Sequence, residues 1–175
     1  MKTFLFSAGR ELAYRFFFIW GPASLLVLVT ACSGGTTAEL SPPTIHYGED
    51  ICEFCGMIIS DERYAAGYLT SRGASRIFDD VGGMAIHHLQ KQEDVAAFFV
   101  HDHEDKHWIR AETAHYVLSS ELSTPMLHGV AACATAEKAA RLAGKVNGQV
   151  VSFEQLLTHF QKQTPMDLHS HAMNP

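Results

Sequence analysis

Several common functional signatures are missing from this 175-residue chain. The sequence has no glycine-rich phosphate loop, no His-Glu-x-x-His helix and no recognisable Ser, His and Asp motif, so hydrolase and nucleotide-dependent chemistry have no support. Lys and Arg total 13 against 19 Asp and Glu, and the basic residues form no run. A chain of this charge argues against a nucleic-acid partner.

A comfortable membrane-spanning segment is also missing. The apolar run at residues 16–29 is interrupted by Gly21-Pro22, and about 20 apolar residues are needed to cross the hydrocarbon core of a bilayer. Three basic residues precede this run, namely Lys2, Arg10 and Arg15. Small residues follow it, and the order of positive, apolar and small segments predicts a secretory signal rather than a membrane helix.

The cysteine that follows the signal refines this prediction. Residues 29–32 read VTAC and resemble the cleavage site of bacterial lipoproteins, in which the cysteine is acylated and becomes the first mature residue. Cys32 would then be a lipid anchor, unavailable to a metal or a disulfide. We expect a signal peptide at residues 1–31 and a flexible tether at residues 32–48, rich in Gly, Ser and Thr and stiffened by two prolines.

The remaining body has the pattern of a mixed fold. Strand patterns occur at residues 64–70, 75–78, 95–100, 108–111, 116–118, 127–134 and 149–151, and helical patterns at 81–91, 136–145 and 153–161. A sulfur-bearing turn, strands, a helix and a further strand follow one another twice. We therefore expect an α+β fold of two related ββαβ halves in one body, at residues 49–107 and 108–163, with a loose His/Met-rich tail at 164–175.

The most informative chemistry lies at residues 52–57, which read CEFCGM. Two cysteines three residues apart can direct both sulfurs at one ion, and Gly56 allows the backbone to bend sharply beside them. Met57 adds a thioether, and thiolate with thioether is a ligand set that suits soft copper(I). Zinc would prefer four thiolate or imidazole ligands, and no second Cys-x-x-Cys completes such a site.

Two other interpretations of this spacing remain open. In an oxidising compartment Cys52 and Cys55 can form a structural disulfide that leaves the protein only a docking role. The same spacing also occurs in thiol–disulfide oxidoreductases, although their motif usually opens a helix and the following residues, GMIIS, start a helix poorly. A metal site, a disulfide and a redox enzyme are all compatible with the spacing alone.

Three motifs taken together resemble the NosL family, the copper-binding accessory lipoproteins of nitrous-oxide reductase. Residues 52–59 read CEFCGMII and are similar to the family's first signature, and residues 77–84, IFDDVGGM, are similar to its second. Thr124-Pro125-Met126 resembles the third, and the lipoprotein signal fits as well. The resemblance covers residues 49–157.

The resemblance implies two related ββαβ units and a copper(I) ion held by sulfur ligands, for which Cys52, Cys55, Met57 and Met126 are the candidates. It also implies that the protein is a metallochaperone rather than an enzyme. Its cargo would go to the maturing reductase with the help of a membrane transporter complex, from a lipid anchor on the periplasmic face of the outer membrane or on the cell surface. One departure from the family pattern concerns the residue after Met126, where we expect glycine and the chain has Leu127.

Other metal-binding residue types have competing interpretations. We expect Met84 to pack in the core, because it lies on the apolar face of its predicted helix, and Cys133 to be a small buried hydrophobe. Asp79 either orients an imidazole or caps the helix, a role that Asp80 can also take. The histidines of residues 101–107 either share a metal or lie in a solvated hairpin tip, and the tip is favoured.

Overall fold

The computed structural model describes residues 40–163, so the signal, Cys32 and the predicted tail lie outside the described residues. The strands are β1 (Ala66–Thr70), β2 (Ser75–Phe78), β3 (Val95–His101), β4 (Trp108–Arg110), β5 (His115–Leu118), β6 (Val130–Cys133) and β7 (Gln149–Val151). The helices are α1 (Val81–Lys91), α2 (Ala136–Lys145) and α3 (Phe153–Gln163), with one 3-10 turn at Ala111–Thr113. Between residues 40 and 163, no helix combines the length and the apolar character that crossing a bilayer requires.

The strands form two antiparallel sheets with the same internal order. The first is β2-β1-β3-β4 and the second is β6-β5-β7, so each ββαβ series places its first strand in the centre. We call the first sheet with α1 the first half, and the second sheet with α2 and α3 the second half. The α+β fold of two related halves is thereby confirmed.

The boundary between the halves is less simple than the sequence pattern indicates. Trp108–Arg110 was assigned to the second half, but β4 pairs with β3, with Ile109 opposite Val100. This strand therefore extends the first sheet. The residue ranges proposed for the two halves as domains remain a prediction.

Local capping explains why the helices begin where the sequence predicts. Asp80 accepts a hydrogen bond from the backbone N–H of Gly83 at the start of α1, and Thr135 does the same for Lys138 at the start of α2. Ser152 and Gln155 form the reciprocal capping box that was expected for α3. The predicted strand at 127–134 is shorter, Val130–Cys133, because the residues before it form a loop.

The two halves share one hydrophobic core. Its fully buried members come from both sheets and from α1 and α3, and include Tyr68, Phe78, Met84, Tyr116, Val130, Leu156 and Phe160. The expected core positions of Met84 and Cys133 are confirmed, since both are buried. Packing of this kind holds the sulfur-bearing segments of both halves on one rigid support.

The loop between β3 and β4 narrows the solvated tip predicted at residues 101–107 to residues 104–107. His101 and Asp102 are buried, whereas only residues 104–107 are exposed. Asp102 accepts hydrogen bonds from the backbone N–H of Ala134, at 2.6 Å, and from the ammonium of Lys138, at 3.1 Å. The start of the loop is buried because it docks on the second half.

Candidate metal centre

The segment that carries both cysteines forms a tight turn, which we call the cysteine turn (residues 51–58). The backbone N–H of Cys52 donates to the carbonyl of Met57 at 2.8 Å, and the N–H of Gly56 donates to the carbonyl of Cys52 at 2.9 Å. Ile51 and Ile58 pair as a single antiparallel bridge. Gly56 has a φ of +75°, so the bend expected at this glycine is present and no helix follows the cysteines.

This turn brings both sulfurs to one buried carboxylate. The Sγ atoms of Cys52 and Cys55 and a carboxylate oxygen of Asp79 all lie within 4.8 Å of one another. Cys52 and Asp79 are each only 2% exposed, and Cys55 is partly buried. Both cysteines are free thiols. Over residues 40–163 no other group of three or more His, Cys, Asp or Glu side chains meets this geometry.

Asp79 has an unusual environment for a carboxylate. Its Oδ1 atom is buried and has no hydrogen-bond partner within the described part of the chain. Burial and the neighbouring charge of Asp80 raise the pKa of Asp79 to about 6, although His128 opposes the shift. A buried oxygen without a donor is costly, and a cation placed among the three side chains would offset that cost.

The thiol of Cys55 holds its proton firmly in this environment. Burial is the main reason why the pKa of Cys55 rises to about 11, and the adjacent Cys52 and Asp79 raise it further. A hydrogen bond from the backbone of Met57 acts in the opposite direction but does not outweigh them. A metal that binds as a thiolate complex must therefore displace protons on entry.

The two candidate methionines occupy different settings. Met57 is 48% exposed, on the outer side of the cysteine turn. Met126 is partly buried in the loop formed by residues 124–128, which we call the methionine loop. Its backbone N–H donates to Oδ2 of Asp80 at 3.1 Å, so the loop lies beside the residue that follows Asp79. The ligand roles of both methionines stay predictions.

Asp80 is the contact between the second motif and the third. Its Oδ1 atom accepts from the N–H of Gly83, at 2.7 Å, and lies 2.8 Å from Nδ1 of His128. Its Oδ2 atom accepts from the hydroxyl of Thr124 and from the N–H of Met126, both at 3.1 Å. Burial acts to raise the pKa of Asp80, but these hydrogen bonds outweigh it and the pKa is lowered.

These contacts correct the role that the sequence indicates for Asp79. The helix cap and the carboxylate that orients an imidazole are both Asp80, while Asp79 faces the sulfurs instead. The consecutive aspartates in the second motif are the only sequence signal for this arrangement. The role of Asp80 depends on side chains 44 to 48 residues away, and that of Asp79 on cysteines 24 and 27 residues earlier, so no local pattern reveals either role.

The departure after Met126 has a structural explanation. Leu127 has a φ of +59°, in the left-handed region that favours glycine, and its side chain is 79% exposed. The backbone thus takes the turn shape that we expect with glycine, and the leucine adapts to it. The leucine therefore does not prevent the turn.

Of the histidines in residues 101–107, His101 and His103 pack against aromatic rings, whereas His107 is exposed. The ring of His101 lies against Trp108 with centroids 3.7 Å apart, and its two nitrogens contact the carbonyl of Ala65 and the hydroxyl of Tyr47. The ring of His103 lies beside Tyr64. The imidazoles at 169 and 171 and Met173 lie outside the described residues.

Comparison with known proteins adds three findings. The sequence model of the NosL family matches residues 43–160. A curated relative from Stutzerimonas stutzeri, described as the copper-binding lipoprotein NosL, is 30% identical over 161 residues, which cover 83% of this chain and 85% of the relative. The solved structure of the copper chaperone NosL from Shewanella denitrificans has a TM-score of 0.58 at 19% identity, over 66% of this chain and 94% of that one. The structural likeness supports the fold.

Proposed function

This chain belongs to the NosL family, and we propose on that basis that it binds copper(I) and hands the ion to another protein. The main observation behind the proposal is that the Sγ atoms of Cys52 and Cys55 and a carboxylate oxygen of Asp79 all lie within 4.8 Å of one another. Two thiols and a carboxylate without a donor make a pocket that a cation would stabilise. The description of the relative as copper-binding supports copper as that cation.

The softness of the ligands supports copper in its reduced state. Thiolates bind copper(I) and zinc(II) alike, but a thioether selects copper(I). We propose Cys52 and Cys55 as the main ligands and Met126 as a third from the second half. Met57, which is exposed, would hold the ion while it enters or leaves.

The surface around the cysteine turn supports transfer by direct contact. Large apolar side chains are exposed here on both sulfur-bearing segments: Ile51, Met57 and Ile58 on the cysteine turn, and Leu127 on the methionine loop. Exposed apolar side chains become the core of a protein–protein contact, which excludes water while a partner offers its own ligands. We propose maturing nitrous-oxide reductase, reached through its membrane assembly complex, as the recipient.

We propose a lipid anchor at Cys32 as the means of retention in the cell envelope. The residues VTAC at 29–32 support it, as does the description of the Stutzerimonas relative as a lipoprotein. The anchor would place the carrier on the periplasmic face of the outer membrane or on the cell surface. Mass spectrometry of the membrane-extracted protein should then find acylated Cys32 as the first residue, and a mature chain that starts elsewhere without lipid would disprove the anchor.

The chemistry of the thiols favours a carrier over a redox enzyme or a structural disulfide. Thiol exchange needs a reactive thiolate, whose pKa is usually lowered by a helix N-terminus or a nearby positive charge. Here the pKa of Cys55 is raised to about 11, and the cysteines lie in a turn that no helix follows. We therefore propose that the protein has no catalytic role.

Anaerobic titration against a colorimetric copper(I) chelator tests the proposed function. The parent should retain about one copper(I) per chain, and Cys55→Ser should weaken retention by more than about a hundredfold, beyond the loss expected for a residue that only supports a ligand. Cys133→Ser is the matched control, because Cys133 is buried in a separate apolar cluster, and it should bind like the parent. Equal retention by the parent and a Cys52→Ser, Cys55→Ser double variant would refute the sulfur site.

A further inference from the structure

Two buried carboxylates tie the halves of the molecule together. Asp80 and Asp102 both belong to the first half, are almost fully buried, and accept hydrogen bonds from the second half. Asp102 contacts Ala134 and Lys138, at the end of β6 and the start of α2. Only Asp80 contacts a segment with a candidate metal ligand.

The start of α1 is where both sulfur-bearing segments meet. A Cβ atom at Gly82 would lie 2.4 Å from Cβ of His128, so the end of the methionine loop rests directly on the backbone of the helix. A Cβ atom at Gly83 would lie 3.3 Å from Cδ1 of Phe54, which stands between the two cysteines in the cysteine turn. The rings of Phe54 and His128 have centroids 6.4 Å apart. Two consecutive glycines therefore allow both segments to approach one helix end.

The two carboxylate oxygens of Asp80 accept hydrogen bonds from different segments at this point. Oδ1 serves the helix cap and His128, whereas Oδ2 accepts from Thr124 and from the backbone N–H of Met126. The hydroxyl of Thr124 also accepts from the N–H of Gly129, which closes the loop upon itself. The backbone of Met126 is thus held by a carboxylate whose neighbour in the chain faces the two sulfurs.

We infer that Asp80 is the positioning residue that holds Met126 toward the cysteine pair, so that a site shared by the two halves is assembled before the ion arrives. This inference rests on the proposed copper(I) function and extends it. A ligand held in advance loses less conformational freedom on binding than a free one, so the carboxylate acts on copper affinity without touching the ion. Residues that orient metal ligands typically change affinity by about 10- to 100-fold when replaced.

Asp80→Asn separates the loop contact from the helix cap. Asn caps a helix about as well as Asp, so its one carbonyl oxygen can stay on Gly83 and His128. Its amide group then faces Thr124 and Met126, and an N–H donor cannot accept from the backbone N–H of Met126. The helix start should survive while the methionine loop is released.

The experiment is an anaerobic copper(I) competition titration on the parent, Asp80→Asn, Met126→Leu and the double variant, with the sulfur ligands counted by X-ray absorption. We expect Asp80→Asn to lower affinity about tenfold and to lose one sulfur ligand, as Met126→Leu does. In the Met126→Leu background Asp80→Asn should change affinity less than twofold, because residues that act through one contact are not additive. A purely structural role would not produce this non-additivity.

Asp102→Asn is the matched control, since it weakens the other carboxylate junction and should leave copper affinity within about twofold of the parent. If Asp80→Asn does not fold, Thr124→Val replaces it, with Thr124→Ser expected to restore binding because it keeps the hydroxyl. Asp80→Asn that binds like Asp102→Asn, or that weakens binding equally in both backgrounds, overturns the inference while the parent still binds. A parent that retains no copper(I) refutes the proposed function itself.

Discussion

The cysteine turn and the methionine loop differ in what holds them in shape. The cysteine turn is closed by its own backbone, through the bonds of Cys52 with Met57 and Gly56, and it joins β2 by the N–H of Glu53 on the carbonyl of Ile77. The methionine loop also has local bonds, from the N–H of Leu127 to the carbonyl of Thr124 and from the N–H of Gly129 to the hydroxyl of Thr124, but it is attached to the first half by the side chain of Asp80. In a site formed by these two segments, the cysteine turn is rigid, whereas the position of the methionine loop depends on the contact between the halves.

This difference is suited to a carrier that must also release its ion. The cysteine turn should keep its geometry whatever the second half does, because its backbone hydrogen bonds lie within the turn or reach β2 of the same half. The methionine loop can lose its position when a partner disturbs a few hydrogen bonds around Asp80, without unfolding either sheet. With the proposed ligands, loss of the Met126 thioether would leave copper(I) on two thiolates, open to a ligand from the partner.

The largest expected effect is the dependence of copper(I) affinity on pH. It distinguishes the cysteine turn, whose thiols lose protons on binding, from the methionine loop, whose thioether carries none. Since the pKa of Cys55 is raised to about 11, its thiol is protonated in the free protein from pH 6 to 8 and is deprotonated in the complex. The apparent affinity should therefore fall as pH falls, by about tenfold per pH unit for each proton displaced. Competition titrations at pH 6, 7 and 8 measure this slope.

Met126→Leu is the control for that measurement. A thioether carries no proton, so this variant should bind more weakly at every pH with an unchanged slope. A slope of zero in the parent would mean that thiols are not the ligands. A slope that disappears only in Met126→Leu would mean that the two segments are not independent as we describe.

Gly82→Ala should displace the methionine loop and leave the cysteine turn unchanged. The added methyl group would lie 2.4 Å from Cβ of His128, so the loop must move, and we expect a loss of about 1 to 3 kcal/mol in unfolding free energy. Copper(I) affinity should fall about tenfold, as for other losses of ligand support. Chemical denaturation and copper competition measure the two effects.

Gly144→Ala is the matched control for this substitution. Gly144 lies in α2 with nothing within 4 Å of an added Cβ, so alanine should stabilise the helix by up to about 1 kcal/mol. Copper affinity should not change. Normal copper binding in a destabilised Gly82→Ala protein would show that the methionine loop contributes no ligand.

Local sequence was sufficient for much of the fold and for half of the site. The bounds of α1 and α2 match their predicted ranges because capping residues and apolar spacing act within a few residues. The two cysteines meet because a tight turn joins them. In contrast, the buried state of Asp102 and the roles of Asp79 and Asp80 depend on partners more than 20 residues away. No pattern in one sequence reports such contacts, since they arise only when the chain packs.

Asp79→Asn should change which metal the cysteine turn prefers. Copper(I) with two thiolates already carries one negative charge, and the carboxylate of Asp79 repels it, whereas zinc(II) with two thiolates is neutral and accepts the carboxylate with only one negative charge in total. We expect zinc(II) affinity to fall about tenfold in Asp79→Asn, while copper(I) affinity holds or rises. Parallel titrations with each metal test this, and Asp61→Asn is the control, because Asp61 is a partly buried carboxylate paired with Arg63 instead of a candidate metal ligand. An equal loss of both metals would contradict the charge argument.

Leu127→Gly should produce the smallest change and shows whether the shape of the methionine loop or its apolar tip matters. A leucine at a φ of +59° costs about 1 to 2 kcal/mol, and glycine avoids that cost but loses about 0.5 to 1 kcal/mol through the entropy of the unfolded chain. The side chain is 79% exposed and contributes little to packing, so a net gain of about 0.5 to 1 kcal/mol is expected by denaturation. Copper(I) affinity should stay the same, because the N–H of Met126 keeps its bond to Asp80. Gln92→Gly, at the left-handed end of α1, should give a gain of the same sign far from the metal. If Leu127→Gly alone slows copper transfer to a recipient, while both variants are stabilised and bind copper normally, then the leucine is kept in its strained position to meet the partner rather than to shape the loop.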